Sequence, residues 1–272
     1  MLWSKAIGAG GAGGVVEGWN VSTAVFLQSF SVTAQEANPY GLFFKPDGLK
    51  MYVIGETGDD VNEYDLSTAW NVSTASFVQS FSVAAQDASP SSVFFKTDGL
   101  KMYVVGRASD RVNEYDLSTA WDVSTAVFVQ SFSVAAQDLS PFELFFKPDG
   151  LKMYVVGTQS DRVHEYDLST AWDVSTASFL QNFSVNAQET SPYGLFFKPD
   201  GLKMYVVGET GDDVNEYDLS TAWNVSTASF VQSFSVAAQE SQPYGLFFKP
   251  DGLKMYVVGR VSDRVHEYDI TA

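Results

Sequence analysis

The chain has 272 residues, 45% of them apolar, and a formal charge of −17 from 33 acidic against 16 basic side chains. That apolar content excludes a disordered acidic chain, and the charge repels phosphate backbones and anionic bilayers, so neither nucleic acid nor a membrane is an expected partner. There is no cysteine, so neither disulfides nor thiolate metal ligands can hold the fold, and a core must.

The first 18 residues, "MLWSKAIGAGGAGGVVEG", read as a flexible glycine-rich segment without an apolar run of signal-peptide length. No stretch approaches the ~18 apolar residues of a membrane span. From there the chain repeats. Trp19, Trp70, Trp121, Trp172 and Trp223 are each 51 residues apart, which divides it into units 19–69, 70–120, 121–171, 172–222 and 223–272. A period of this length decides the architecture before anything else does.

In the unit that starts at Trp172, short alternating runs predict four strands: "SFLQNFSV" (178–185), "SPYGLFFK" (191–198), "LKMYVVG" (202–208) and "VNEYDL" (214–219). The "PDG" at 199–201 is a turn, its proline presetting φ and its glycine accepting a positive one. "ETGDD" is a polar loop. Four strands joined by short turns make an antiparallel meander, and repeated meanders of this length predict an all-β, five-bladed β-propeller. The chain enters on one extra strand, "VFLQSFSV" (25–32), and leaves after "VHEYDI" (265–270), one strand short. The N-terminal strand is therefore expected to complete the last blade and close the ring, where an open solenoid would leave two bare edges. A monomer is expected.

The string "KPDGLKMYVVG", followed by a strand ending in Tyr-Asp, resembles the YVTN, or lactonase-like, propeller blade. That likeness covers about thirty residues of each unit and implies the blade type; lactonase-like enzymes use distinct residues from distinct blades, and units this alike offer few. The whole chain is also similar to repetitive arrays in predicted proteins of marine bacteriophages and uncultured microbes, which have no assigned function. An engineered or reconstructed chain, or a recent amplification, would show the same uniformity.

The five units differ from one another mainly in two windows. One is the blade-to-blade link: "TAQEANPYG", "AAQDASPSS", "AAQDLSPFE", "NAQETSPYG" and "AAQESQPYG". The other is "ETGDDVN", "RASDRVN", "TQSDRVH", "ETGDDVN" and "RVSDRVH". In a meander both fall on one face of the disc, while the PDG turns and the long "STAW" links form the other. Loops drift because they carry little packing, yet only one of the two loop sets has done so. Either a binding face accounts for this asymmetry, or drift does, with the opposite link held in place because its tryptophan wedges between blades.

The candidate ligand-binding residues follow from that face. Tyr40, Phe142, Tyr193 and Tyr244, with Ser91 in the same column, begin the innermost strand and are expected to ring the channel mouth. Aromatic faces beside carboxylates and amides suit sugars, and the same rings can equally plug the top of the core. Glu56, Asp60, Glu209 and Asp213 supply acceptors, and Glu56, Asp59 and Asp60 in one loop raise the question of calcium, although the spacing is not that of an EF-hand. Every arginine of the chain, Arg107, Arg111, Arg162, Arg260 and Arg264, is on this face, as bidentate readers of an acidic ligand or as partners of nearby acids. Asp59 and its four equivalents recur in every unit and are expected to cap a turn through an Asx bond. His164 and His266, the only histidines, make a poor metal pair, and no metal or cofactor is expected.

No Gly-x-Ser-x-Gly elbow, His-Glu-x-x-His or phosphate loop occurs. Asp47, Glu63 and Asp65 recur in every unit and read as structural. The expectation is therefore a non-enzymatic recognition module for a glycan or a protein. The alternatives are a structural or display domain, virion-associated in one reading, and a lactonase- or glycosidase-type hydrolase.

Overall fold

The computed structural model describes residues 18–271; the glycine-rich segment, but for Gly18, lies outside them. After strand β1 (Ala24–Ser31), the first blade is formed by β2 (Pro39–Phe44), β3 (Lys50–Gly55), β4 (Asp60–Leu66) and β5 (Ala75–Ser82). The second is β6 (Pro90–Phe95), β7 (Lys101–Gly106), β8 (Arg111–Leu117) and β9 (Ala126–Ser133). The third is β10 (Pro141–Phe146), β11 (Lys152–Gly157), β12 (Arg162–Leu168) and β13 (Ala177–Ser184), and the fourth is β14 (Pro192–Phe197), β15 (Lys203–Gly208), β16 (Asp213–Leu219) and β17 (Ala228–Ser235).

The fifth blade has β18 (Pro243–Phe248), β19 (Lys254–Gly259) and β20 (Arg264–Ile270), and its outer strand is β1, paired antiparallel to β20 from Ala24 opposite Ile270 to Ser31 opposite Arg264. Five antiparallel four-stranded sheets thus form a closed ring, with the strands within one or two residues of their expected limits.

Burial explains the strand sequences. The second strand of each blade lies between neighbours on both faces, so "MYVIG" of β3 is buried throughout and reads as continuous rather than alternating. The outer strand has solvent beyond it, and Phe77 and Val78 of β5 stay exposed where a bulge between Glu63 and Tyr64 interrupts its pairing.

Blade joins are built from three repeated devices. Trp70 takes a left-handed backbone (φ 65), and its indole lies on Gly48, whose own φ is 73. A methyl group there would come within 2.4 Å of the indole, so only glycine fits. The Trp70 carbonyl then accepts a 2.7 Å hydrogen bond from Tyr256 of the fifth blade. Glu63, buried, accepts from Lys50 (2.5 Å) and Gln79 (3.0 Å) of its own blade and from the Val123 N–H (3.2 Å) of the next. Asn71, or an aspartate in two units, caps the short 3-10 turn Val72–Thr74 through the Ser73 N–H. These contacts occupy the PDG and STAW face and tie down the loop set that does not vary.

Candidate functional site

The two varied windows meet on the opposite face, and a buried acid joins them. Glu36 in the link accepts from the Asn38 N–H (2.8 Å) and from the Thr57 N–H of the second window (2.9 Å). Asp87 does the same with Ser89 and Ser109, and Asp138, Glu189 and Glu240 complete the set. The sequence reading missed these five clamps. Their signal was the acid present in every link.

Inside this rim the column of Tyr40, Phe142, Tyr193 and Tyr244 closes the channel. The rings form one cluster in which Tyr193 stacks on Tyr244 (centroids 4.0 Å) and meets Phe142 at 4.5 Å, while Tyr40 lies 4.7 Å from Tyr244. Tyr40, Phe142 and Tyr244 are buried and Tyr193 is half-buried. The rings thus plug this end of the channel, with Tyr193 the most open of the four.

The second blade has Ser91 in place of a ring, and the same blade fills the gap with Arg107. Its guanidinium carbon stands 4.8 Å from the centroids of both Tyr40 and Phe142. Its Nη2 is 3.5 Å from Glu56, and neither Nε nor Nη2 makes a hydrogen bond within the described residues. Glu56 also accepts from the Tyr40 hydroxyl at 2.6 Å, which holds its carboxyl below the usual range with the help of Arg107. Burial and the Glu56 bond push the Tyr40 hydroxyl up to about 12, so it remains a donor.

Around the rest of the rim, Glu209 accepts from Tyr193 (2.9 Å) and from Gln242 (2.7 Å). Arg260, exposed, donates from Nε to Asn38 at 3.1 Å. The result is a floor of rings bordered by two carboxylates, two guanidiniums and two amides.

Not every candidate belongs to this group. Asp60, Arg111, Arg162, Asp213 and Arg264 begin the third strand of each blade and pair with the outermost strand, away from the channel. There Arg111 and Arg264 donate to Ser131 and Ser29, and Arg162 to Asn182. No cluster of three carboxylate or imidazole groups fit for a metal ion occurs among the described residues, so the acids of the "ETGDD" loop do not converge. The expected Asx bond is also absent. Asp59 and its equivalents have φ of 50–52, their backbone carbonyls accept from the following link, and each Oδ1 is buried without a partner. What the position requires is a residue that tolerates the left-handed region.

His164 and His266 are buried on separate blades, each 2.8 Å from its own serine, Ser160 or Ser262, and burial lowers both to about 4. Beneath the plug lies Glu143, where the other blades have Gly41, Ser92, Gly194 and Gly245. It accepts from the Ser92 hydroxyl and the Leu144 N–H, and burial raises its carboxyl well above the ordinary value. It was overlooked in the sequence, although it is the one charged residue in its column.

Neither a protein-family profile nor a curated protein sequence matches the chain. Solved structures do. A protein of Lactobacillus plantarum aligns with a TM-score of 0.54 at 16% identity, over 85% of this chain and 67% of that one. A protein of Bacteroides fragilis named as a 6-phosphogluconolactonase aligns at 0.55 and 14%, over 85% and 80%. The periplasmic gluconolactonase of Pseudomonas aeruginosa aligns at 0.51 and 18%, over 85% and 66%. At such identities the likeness establishes a shared propeller fold, and the chain spans about two thirds of the length of two of the three. These names correct the expectation of a non-enzyme: the chain shares its fold with proteins named as gluconolactonases, so the absence of familiar catalytic motifs does not exclude enzymatic activity. Among the described residues, no helix is long and apolar enough to cross a membrane.

Proposed function

We propose that the varied face recognises a sugar-derived ligand bearing a carboxylate, an acidic glycan or sugar acid, seated on the aromatic floor. The observation that carries this is Arg107: a guanidinium stacked on two rings, whose buried Nε and Nη2 form no hydrogen bond among the described residues, with Glu56 3.5 Å from Nη2 as its ion-pair partner. Arginine in such a setting reads a carboxylate through paired hydrogen bonds. The neighbouring rings suit the apolar face of a sugar, and Glu56, Glu209, Gln242 and Asn38 suit its hydroxyls.

The test is a glycan-array screen that includes uronic acids, followed by titration of the best ligand. Arg107→Thr is the informative variant, because Thr158 occupies the same column in the third blade. It should keep the fold and weaken an acidic ligand roughly ten-fold or more, as lost charge-assisted bonds do. Replacing Tyr193 and Tyr244 together by alanine should abolish capture. A folded protein with a blank array overturns the reading.

The structures named as gluconolactonases favour a second reading, hydrolysis of a sugar lactone at the same site. Acid release from gluconolactone above the buffer rate, lost in Arg107→Thr, would establish it. An unchanged rate in that variant would rule it out for this face.

A further inference from the structure

At the other end of the channel, on the face that does not vary, the ring opens as a funnel of about 140 Å³. Five phenylalanines wall it: Phe43, Phe94, Phe145, Phe196 and Phe247. Each meets the next edge to face, with centroids 5.2–5.4 Å apart and planes at 67–74°. The prolines of the PDG turns form the rim, except in the second blade, where Thr97 stands instead. Among the described residues, no charged side chain lines the wall. The lysine before each of these turn positions is held by the aspartate after it, at 2.6–2.9 Å, and brings no free cation to the opening.

We infer that this funnel binds a neutral aromatic molecule of one ring, the size of toluene or p-cresol. Its volume is close to that of an apolar cavity of ~150 Å³ that stays dry and takes up benzene. Its wall presents ring edges and faces together, the arrangement in which an added ring finds edge-to-face contacts on several sides. The funnel is also blind. Between the phenylalanines and Glu143 remains a space of about 10 Å³, room for one water at most, so a ligand that enters must stop at the ring. A carboxylate on the ligand would lose its hydration with no cation to meet it, so an anionic analogue is excluded.

The experiment is titration of the whole chain with toluene, p-cresol and benzoate, followed by tryptophan fluorescence, since Trp172 and Trp223 reach the wall. Both neutral probes should saturate and raise the melting temperature with concentration, and benzoate should bind roughly ten-fold or more weakly. Thr97→Phe puts a ring over the mouth at an exposed turn position, so it should abolish binding without lowering the melting temperature of the free protein. Arg107→Thr should leave p-cresol binding unchanged, which separates this site from the one on the varied face. The inference is overturned if the folded protein shows no saturable binding of either neutral probe. It is overturned equally if benzoate binds as well as they do, or if a folded Thr97→Phe variant still binds.

Discussion

At the scale of single residues, repetition makes the blades controls for one another. His164 and His266 stand where the other units have Asn62, Asn113 and Asn215. Burial lowers each imidazole from 6.5 to about 4, so the folded chain holds it neutral while the unfolded chain protonates it. Their contribution is complete above pH 6.5 and is lost as the pH falls towards 4, to a limit of ~3 kcal/mol for each. Replacing both by asparagine should therefore flatten stability between pH 6.5 and 4, measured as denaturation midpoints across that range. Asp110 has the opposite sign. Burial first, and then Asp87 and Asp138, raise its carboxyl, so the folded state is penalised as the pH climbs through that raised value. Asparagine in its place would keep a side chain suited to positive φ and remove the charge. The Asp110→Asn variant is expected to melt higher than the parent at pH 7 and no higher at pH 3; a lower melting point at pH 7 would mean that the buried carboxylate does something useful.

The elements depend on a few contacts that the repeat multiplies. The turn glycine under each tryptophan is the tightest of these. In Gly150→Ala the new methyl would meet Trp172 at 2.4 Å and would also sit on a backbone with φ 72. Left-handed strain and overpacking together should cost about 2–4 kcal/mol, read by chemical denaturation, and a cost below about 1 kcal/mol would show that the indole moves aside freely. Strand positions were legible because "SPYGLFFK" or "LKMYVVG" carries its own pattern and its own turn residues. The varied face was legible too, since both windows could be compared across five units. Which side chains converge there was not. Arg107 and Arg111 look alike in the string, yet one stacks over the channel and the other lies at the outer edge, a difference set by the radial position of each strand. Glu143 and the phenylalanine funnel were hidden for a related reason: an inward-facing column acquires meaning only when five blades bring it to one axis.

For the whole molecule, the decisive feature is that the ring is closed by hydrogen bonds between the two ends of the chain. β1 supplies the fourth strand of the last blade, and its flanks add further ties: the Trp19 N–H donates to Gly252 and its carbonyl accepts from Tyr205, while the Val21 N–H donates to Glu216. Residues 19–32 therefore join two blades as well as completing one. Removal of residues 1–32 would strip β20 of its partner along its whole length and leave a row of unpaired N–H and C=O groups flanked by apolar side chains, an edge that invites pairing with another chain. It would also leave the fourth and fifth blades without the tryptophan that the other joins possess. The truncated chain is expected to melt at a lower temperature and to associate as its concentration rises, and a synthetic peptide of residues 19–32 should reverse both effects by taking the empty place. Melting and sedimentation measured with and without that peptide test this directly. An unchanged melting temperature for a monomeric truncated chain would mean that four blades and three strands hold the ring by lateral packing alone, and that pairing of the ends is not what closes it.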